Sequence, residues 1–576
     1  MDIPLTARRI TYALLVAATI VLMAGWLSSI LSADRLGWLD VLIIVAFSIK
    51  ATWVILFFWH AVIGFLLMHR TTDPLAIVFP LLQDNSDKIQ ARTAVLMTVR
   101  DEDPEDIFAR LKVIRETLDA TNWGDRFHYF VLSDSSRPDV IAIEERLAQL
   151  ERDTNANRAV IHYRRRMNND GGKHGNLIDF CDRWGKNYDF MLVLDADSLM
   201  TADSVLRLVR IMEANPQLGI LQSLLVGILA PSAFARVFEF GHRHGMRCSM
   251  MGAVWWQAER GQNRGHNVLL RVVPFMSHGR LMEADKPTGS RRIFGHDQVE
   301  AAHIHREGYE VWELPQEIGS FEEQPANPID FIKRYSRWFY ANLQNLHLIF
   351  APNLTMLDRY HLAAVAHRFI AWPSFILFVV LAAFTAATWP SEVRFPVGRA
   401  LLFYATYVAI YFTPRTLGTI DALISSPQLY GGRLRLVLGA FAEFVLTILF
   451  VPIAMVGTTY LVARALFGGK ANFGSPRRGN YTLSFSEAVA NLWPVTAVGC
   501  ILTVFLLAAA PAALIWFMPY IAGLLLAVPF CLLASSQILF DWMMHNRFCA
   551  IPEDIERPRE VVHLISQHGA QTSARR

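Results

Sequence analysis

The sequence predicts an α/β domain with a mostly parallel sheet, inserted into an α-helical transmembrane domain of about six spans. Of its 576 residues, 53% are hydrophobic and 18% are charged, whereas soluble domains carry about 25% charged residues. The charge is concentrated in residues 70–365, and long apolar runs flank that stretch on both sides. Within it, strand-like runs alternate with helical runs, which is typical of βαβ units in a parallel sheet.

The N-terminal part predicts a transmembrane hairpin. The apolar runs at 11–31 and 41–68 are each long enough to cross about 30 Å of hydrocarbon. Arg8 and Arg9 precede the first run and Arg70 follows the second, so the positive-inside rule places both ends of the hairpin in the cytoplasm. We therefore expect four parts: a transmembrane hairpin at 1–69, a cytoplasmic α/β domain at 70–365, a transmembrane and interfacial domain at 366–548, and a cytoplasmic polar tail at 549–576.

The C-terminal half predicts four further spans, at about 367–388, 398–413, 493–514 and 517–538. The apolar stretch 434–466 contains Glu443 and Pro452, and a crossing there would place the basic loop after it outside. Because this contradicts the positive-inside rule, we expect an interfacial or re-entrant segment. The segment 414–433 predicts an interfacial helix.

Composition and motifs exclude several classes of protein. Lys and Arg total 54 against 51 for Asp and Glu, so no overall field favours nucleic acid. The five cysteines include no C-x-x-C pair, which argues against a zinc site. No G-x-x-x-x-G-K-[ST] motif is present, which argues against a P-loop ATPase. A transporter would carry its polar chemistry near the membrane midplane, and a non-catalytic scaffold would not need the acids described next.

The strongest local signal is a strand-like run at 190–194 that leads directly into Asp195 and Asp197. Ligands of open α/β sheets bind at the carboxyl ends of the strands, and two carboxylates there suit Mg²⁺ or Mn²⁺ bound to phosphates. The alternative is a strand end followed by a capping Asp.

Two other strand-like runs also end in acids. Thr93–Val99 is followed by Glu102, and the run at 127–132 is followed by Asp134. Each acid alone would be interpreted as a turn or cap residue. Three strands that deliver acids to one edge of a sheet instead favour a shared site.

A glycine-rich basic loop lies between these acids, at Gly171-Gly172-Lys173-His174. Glycine lets the backbone approach a ligand, and Lys173 supplies a point charge for phosphate. A solvated loop is an equally good interpretation, and His174 by itself resembles a surface histidine.

Two later segments carry candidate chemistry. Asp297 precedes a helical run and is either a helix cap or a general base. Arg337 and Trp338 lie in a helix that leads to the membrane. They belong either to an interfacial amphipathic helix or to a site where they hold a diphosphate and a sugar. Local sequence leaves both choices open.

Together, Asp134, Asp195-x-Asp197, Asp297 and Arg337-Trp338 resemble the ordered motifs D, D-x-D, (E/H)-D and (Q/R)-x-x-R-W of the processive family-two glycosyltransferases, which include cellulose and hyaluronan synthases. Longer segments are similar to the bacterial glucans biosynthesis glucosyltransferase H family, which makes osmoregulated periplasmic glucans. These segments are at 163–200, 265–271, 295–302, 309–315 and 334–346.

The resemblance implies a Rossmann-like GT-A domain on the cytoplasmic face of the bacterial inner membrane. It implies UDP-glucose as donor, Mg²⁺ or Mn²⁺, and a β-1,2-glucan passed outward. By matching position, Glu102 would contact the nucleotide, Asp134 the uridine or the metal, and Lys173 the phosphates. Asp195 and Asp197 would bind the metal-diphosphate, and Asp297 would be the general base. Arg337 and Trp338 would contact the diphosphate and the acceptor.

The family also implies partners and a route for the product. The expected partners are the growing glucan, the lipid bilayer, a periplasmic glucan-modifying protein and acyl carrier protein, with no nucleic acid. Residues 468–485 either resemble a gating loop or form a plain basic cytoplasmic loop. Trp372, Trp389 and Trp493 either line a channel or belong to an interfacial aromatic belt. Arg334 replaces the Gln of the cellulose synthase motif. A cellulose or hyaluronan synthase is the alternative function.

Overall fold

The structure is a computed structural model of the chain, and it describes residues 3–33, 36–81, 88–154, 160–279, 295–468 and 483–574. Most of the candidate gating loop, residues 469–482, lies outside the described residues. Twenty helices are labelled below among the described residues: α1 Leu5–Leu31, α2 Trp38–Arg70, α3 Pro74–Val78, α4 Pro104–Asp119, α5 Pro138–Thr154, α6 Gly172–Trp184, α7 Ala202–Ala214, α8 Ala233–Gln257, α9 Val272–Gly279, α10 Asp297–Arg306, α11 Pro328–Gln344, α12 Met356–Thr388, α13 Val397–Ser425, α14 Arg433–Leu466, α15 Phe485–Ala509, α16 Leu514–Leu525, α17 Ala527–Ala534, α18 Gln537–His545, α19 Pro552–Ile555 and α20 Arg559–Ala574.

A seven-stranded sheet forms the centre of the α/β domain, in the order β3-β2-β1-β4-β8-β6-β9. The first four strands in that order are parallel, β8 is antiparallel to both its neighbours, and β6 and β9 are parallel. The predicted α/β domain with a mostly parallel sheet is therefore confirmed. The strands are β1 Thr93–Val99, β2 Phe127–Ser133, β3 Ile161–Arg165, β4 Phe190–Asp195, β6 Leu218–Gln222, β8 Val268–Arg271 and β9 Glu310–Glu313.

The register brings the carboxyl ends of the central strands level. Val99 of β1 pairs with Ser133 of β2, and Thr98 pairs with Asp195 of β4. Every residue of β1 is buried, as expected for a parallel strand covered on both faces. The residues that follow β1, β2 and β4 therefore emerge side by side at one edge.

A second, three-stranded sheet lies beside this edge, in the order β5-β10-β7. Its strands are β5 Leu199–Met200, β7 Val226–Gly227 and β10 Ser320–Glu322. Strand β5 begins two residues after Asp197 and pairs with β10. This pairing brings Glu322 of β10 close to the same edge.

Among the described residues, five helices are long and apolar enough to cross a membrane: α1, α2, α12, α14 and α15. The segments Pro511–Leu525 and Ala527–Ala534 pass the same test together, with a bend of 56° between them. Counted as one span, this pair brings the number to six, which equals the predicted total, although α14 takes the place of the predicted span at 398–413. The pair covers much of the predicted span at 517–538.

The region between α12 and α15 differs in detail from the prediction. The predicted span at 398–413 and the predicted interfacial helix at 414–433 are not separate, because α13 continues through Pro414 to Ser425. Helix α13 is not among the five candidate spans. The expectation of a separate interfacial helix at 414–433 is therefore wrong, since one proline does not end this helix.

The apolar stretch 434–466 is one continuous helix, α14. Its length and composition would allow a crossing. Phe450 contacts Phe234 of α8 and Phe331 of α11, and Phe444 contacts Phe412 of α13. The helix therefore packs both on the α/β side and on another helix of the membrane region, and its interfacial or re-entrant placement stays a prediction.

Helix α8 joins the α/β domain to the membrane helices. It crosses α2 so closely that a Cβ on Gly252 would lie 1.9 Å from the His60 carbonyl oxygen. At its C-terminal end, Arg9 near the start of α1 donates to the carbonyls of Trp256 and Gln257. The start of the chain is therefore attached to the catalytic side.

The C-terminal tail also packs against the α/β domain. The Glu560 carboxylate accepts a hydrogen bond at 3.1 Å from the backbone N–H of Ala202, the first residue of α7. His563 Nε2 lies 3.4 Å from Glu116 of α4. Helix α20 of the tail therefore contacts the α/β domain at two helices, α7 and α4.

Candidate active site

One cavity of about 920 Å³ collects all the residues predicted from the strand ends and the later motifs. It begins at the carboxyl edge of the main sheet and continues between the membrane helices. The predicted site residues that line it are Glu102, Asp134, Lys173, Asp195, Asp197, Asp297, Arg337 and Trp338.

Lys173 ties the glycine-rich loop to the D-x-D motif. Its Nζ donates to the Asp195 carboxylate and, at 2.7 Å, to the carbonyl oxygen of Gly265. Gly171 and Gly172 both have positive φ, which lets the loop turn sharply into α6. The lysine ammonium is therefore fixed at the cavity wall beside a carboxylate.

His266 lies on the other side of Asp195 and was not predicted. Its Nδ1 is 3.8 Å from Asp195 Oδ2, and its Nε2 is 3.1 Å from Glu322 Oε2. Burial opposes the charged form, but Asp195 and Glu322 raise the pKa of His266 to about 9. The only sequence signal for this residue was its place in a segment shared with the resembling family.

Asp134 is 4% exposed and forms a bidentate ion pair with Arg166. The guanidinium donates to its two carboxylate oxygens at 2.8 and 2.6 Å. The same guanidinium donates to the carbonyls of Asp170 and Gly172. Asp134 and Arg166 together therefore shape the glycine-rich loop as well as the cavity wall.

The two acids after β1 have different surroundings. Asp101 has φ 62° and accepts hydrogen bonds from the N–H groups of Ser136 and Arg137. Despite the opposing effect of burial, these bonds lower the pKa of Asp101. Glu102 lines the cavity and accepts from the N–H of Arg100. Glu102 is therefore the acid of this pair that faces the cavity.

Arg110 holds the backbone of the D-x-D motif from beneath. It is 2% exposed, and it donates at 3.0 Å to the carbonyl oxygen of Asp197. Its charge is balanced by Asp106 and Glu323. No local pattern distinguishes this arginine from others in amphipathic helices, so sequence reasoning missed it.

Asp297 begins α10 and is partly accessible, with 34% of its side chain exposed. Its Oδ1 lies 3.2 Å from His296 Nδ1. Gly265, with φ +81°, lies directly against the carboxylate, because a Cβ built there would be 2.1 Å from Oδ1. The carboxylate therefore has one fixed wall and one side open to the cavity.

Helix α11 places Arg337 and Trp338 opposite these acids. Burial and the neighbouring Arg334 lower the pKa of Arg337, while Asp195 and Glu102 act in the opposite direction. The Arg334 guanidinium stacks 4.8 Å from the centre of the Trp338 ring. The cavity wall at α11 is therefore cationic and aromatic, which suits a diphosphate and a sugar ring.

The donor set of the D-x-D motif fits a divalent metal. Asp195 and Asp197 offer hard carboxylate oxygens at the rim of the cavity, and Asp195 keeps 39% of its side chain exposed. Oxygen ligands of this kind are preferred by Mg²⁺ and Mn²⁺.

The membrane part of the cavity contains charged and aromatic groups. Lys50 of α2 and Trp372 of α12 line it, as does an ion pair between Arg415 Nε and Glu443 Oε1 at 2.8 Å. Of the three tryptophans predicted as channel candidates, Trp372 is the one found among the described residues that line the cavity. Its ring stacks 5.7 Å from Tyr335 of α11. Polar groups therefore follow the cavity beyond the active-site edge.

The comparisons with known proteins identify related sequences. The model of the glycosyl transferase family 2 matches residues 106–282, which together with the observed sheet confirms the predicted GT-A class. The chain is 32% identical over 96% of its length to the glucans biosynthesis glucosyltransferase H of Ralstonia nicotianae. The corresponding protein of Pseudomonas syringae pv. syringae is 31% identical over 90% of this chain.

This chain covers 66% of the Ralstonia relative and 67% of the Pseudomonas syringae pv. syringae relative, and 62% of the protein from Pseudomonas putida strain F1. Among solved structures, the mannosyltransferase PcManGT from Pyrobaculum calidifontis in complex with GDP-Man and Mn²⁺ aligns over 67% of this chain and 98% of its own. The identity is 15% and the TM-score is 0.36, a value too low to support an inference. The identity to the curated relatives over nine-tenths or more of its length shows that this chain belongs to the glucans biosynthesis glucosyltransferase H family.

Proposed function

We propose that this protein is a processive, inverting glucosyltransferase of the bacterial inner membrane. It polymerises glucose from UDP-glucose into the β-1,2-linked backbone of osmoregulated periplasmic glucans and moves the product across the membrane. The observation that carries the proposal is the single cavity that joins the acidic edge of the sheet to polar groups between the membrane helices.

The chemical step is attack by an acceptor hydroxyl on the anomeric carbon of glucose, on the side opposite to UDP. Asp297 accepts the hydroxyl proton as the new bond forms. Its exposed side faces the cavity, and Gly265 and His296 fix its position from behind. One base is sufficient because UDP is a good leaving group, so the carboxylate pair of glycosidases is not required.

The donor is held by groups that come from separate strand ends. Glu102 and Asp134 contact the nucleotide, and Lys173 and Arg337 offset the negative charge that develops on the diphosphate. Asp195 and Asp197 hold Mg²⁺ or Mn²⁺, which would supply further charge neutralisation. The cluster of cations and carboxylates at one wall supports these roles.

The product leaves through the membrane part of the cavity. Trp338, Tyr335 and Trp372 offer aromatic surfaces near its mouth, and Lys50 and the Arg415–Glu443 pair provide polar contacts deeper in the cavity. A route lined in this way suits a neutral polysaccharide, which cannot cross hydrocarbon unaided. Arg8 and Arg9 in the first turns of α1 support a cytoplasmic catalytic domain.

Partners follow from the direction of export. We expect the growing glucan and the bilayer to contact the chain directly, a periplasmic glucan-modifying protein to receive the product, and acyl carrier protein to act on the cytoplasmic side. Nucleic acid is not expected, because the net charge is only +3.

The decisive experiment uses the purified protein in nanodiscs with Mg²⁺ and a panel of UDP-sugars. UDP release only from UDP-glucose, with a polymer cut by β-1,2-glucanase and resistant to cellulase, is the expected result. A cellulase-sensitive product would assign the chain to cellulose synthesis instead. Release from no donor would contradict the enzymatic proposal.

The variant Asp297→Asn tests the base in the same assay. Because the amide cannot accept the proton, we expect turnover to fall by about 10²- to 10⁴-fold, with UDP binding unchanged. Transfer at near the wild-type rate would show that another group acts as the base.

A further inference from the structure

Three buried side chains meet behind the carboxylate of Asp297. His174 Nδ1 and His296 Nδ1 lie 2.6 and 2.8 Å from the same oxygen, Oε1 of Glu300. The second oxygen of Glu300 accepts a hydrogen bond from Asn263 Nδ2 at 3.0 Å. Glu300 and His174 are each 4% exposed and His296 is 7% exposed. His174 is thus a buried hydrogen-bonding residue rather than the surface histidine that its sequence suggests.

The geometry of this cluster favours a hydrogen-bonded network over a metal site. Two histidines and a glutamate could bind zinc, but the ligands of a tetrahedral zinc ion stand about 3.3 Å apart. The observed separations are those of charge-assisted hydrogen bonds. Although burial opposes it, Asp297 and Glu300 raise the pKa of His296 to about 9. His296 is therefore a cation near neutral pH, and a protonated imidazole does not bind metal.

The network reaches Asp297 from two directions. His296 contacts the Asp297 carboxylate directly at 3.2 Å. Asn263 Oδ1 accepts a hydrogen bond from the N–H of Gly265 at 2.8 Å, and Gly265 forms the wall behind that carboxylate. Lys173 donates to the carbonyl oxygen of the same glycine. The cluster thereby connects the start of α6 to the start of α10.

We propose that Glu300, together with His174 and His296, forms a positioning unit that holds the Asp297 carboxylate in place for proton transfer. This inference rests on the proposed function, in which Asp297 is the general base. The unit acts through Asp297 and through Gly265, and it has no direct contact with the reacting sugar.

The electrostatic consequence can be derived from the neighbours of His296. Removing the negative charge of Glu300 lowers the pKa of His296, because one of the two anions that raise it is lost. His296 would then lose its proton at a lower pH than in the wild type, and the charge-assisted contact of its imidazole with the Asp297 carboxylate would be lost with that proton. The titratable groups that face this network are Asp297, Glu300, His174, Lys173 and, beside Glu300, Cys181.

The test compares Glu300→Gln with Asp358→Asn. Asp358 is an equally buried carboxylate, and it accepts from His305 Nδ1, on the same helix α10, at 2.6 Å. For Glu300→Gln we expect kcat to fall by about 10- to 100-fold, as for other buried partners that orient a functional group. The KM for UDP-glucose should change little, and the alkaline limb of the pH–rate profile should move to lower pH, because His296 loses its proton earlier. Asp358→Asn should keep the wild-type limb.

A second variant separates position from charge. Asn at position 296 can donate to Glu300 but does not titrate, so His296→Asn should abolish the alkaline limb that His296 sets, with a smaller loss of kcat than Glu300→Gln. If Glu300→Gln does not fold, His296→Asn decides the question in the same assay. Equal effects of Glu300→Gln and Asp358→Asn on kcat and on the alkaline limb would overturn the inference.

A structural measurement keeps the inference separate from the proposed function. If the wild-type protein transfers no glucose from any UDP-sugar, the proposed function is wrong, but cryo-EM maps still test the positioning unit. We expect the Asp297 carboxylate of Glu300→Gln to move by about 1 Å or more from its wild-type position, a shift large enough to impair a reaction. An unmoved carboxylate would refute the positioning role.

Discussion

At the scale of single residues, Gly265 has an unusually demanding position. Its backbone has φ +81°, its N–H and carbonyl are bound by Asn263 and Lys173, and its Cα faces the Asp297 carboxylate. A residue with a side chain could occupy this position only by displacing the proposed base. The sequence marked Gly265 only as part of a shared segment, since the clash becomes visible when the two loops are brought together.

The variant Gly265→Ala should therefore reduce activity more than stability. The added Cβ would lie 2.1 Å from Asp297 Oδ1, and a displacement of about 1 Å can cost about 100-fold in rate. Left-handed backbone at a residue other than glycine costs about 1–3 kcal/mol. Steady-state turnover and thermal unfolding measure the two effects.

The matched control for Gly265→Ala is Gly308→Ala, because Gly308 also has positive φ, +84°, but its Cβ would meet no atom within 4 Å. Loss of turnover in the control equal to that in Gly265→Ala would show that backbone strain, rather than contact with Asp297, explains the effect.

At the scale of elements, the crossing of α2 and α8 connects the membrane to the catalytic domain. Small residues allow helix backbones to approach closely, and Gly64 and Gly252 lie at this crossing. Helix α8 also packs on α14 through Phe234 and Phe450. The position of the active-site edge is therefore linked through α8 to that of the membrane helices.

The variant Gly252→Ala should lower stability. Its Cβ would lie 1.9 Å from the His60 carbonyl oxygen, and overpacking of this kind costs about 1–3 kcal/mol. The change should appear as a lower midpoint of thermal unfolding in detergent. Gly245→Ala on the same helix is the control, because its Cβ would make an ordinary contact at 3.6 Å with Arg415. Equal midpoints for the two variants would contradict the close crossing.

The strands and helices differ in how well the sequence predicts their bounds. The strands at 93–99 and 190–195 were predicted almost to the residue, because continuous apolar runs bounded by acids have few alternatives. The end of α13 was not, since the predicted span stops before Pro414, whereas the helix continues through this proline to Ser425.

The same contrast holds in the candidate site. Asp134 and Asp195 could be predicted because parallel strands end at a common edge. Their partners Arg166 and His266 could not, because such pairings are set by tertiary contacts between distant segments.

At the scale of the whole molecule, the position of Lys50 bears on whether the cavity is open to water or sugar inside the membrane. It lies within an apolar helix and is 5% exposed, yet it lines the cavity. An ammonium group is costly in hydrocarbon. Its position therefore predicts a polar route along α2.

The variant Lys50→Cys should react with a water-soluble, membrane-impermeant thiol reagent in nanodiscs. A bound nascent glucan should slow this reaction by about tenfold or more, because the polymer fills the route. Val45→Cys on the same helix is the control, because Val45 is 49% exposed on the outer surface of the helices and lipid should protect it. Reaction of position 45 but not of position 50 would contradict an aqueous route.

The attachments of the two ends of the described chain constrain its path through the bilayer. Arg9 is bonded to the end of α8, and Glu560 is bonded to the start of α7, so both ends lie on the catalytic side. A chain that begins and ends on one side must cross the membrane an even number of times. If α14 lies along the interface, as the sequence predicts, an even number of crossings requires α13 to cross whenever the bent pair crosses. The less apolar α13, with Arg399 and Arg415 in it, would then complete the six crossings.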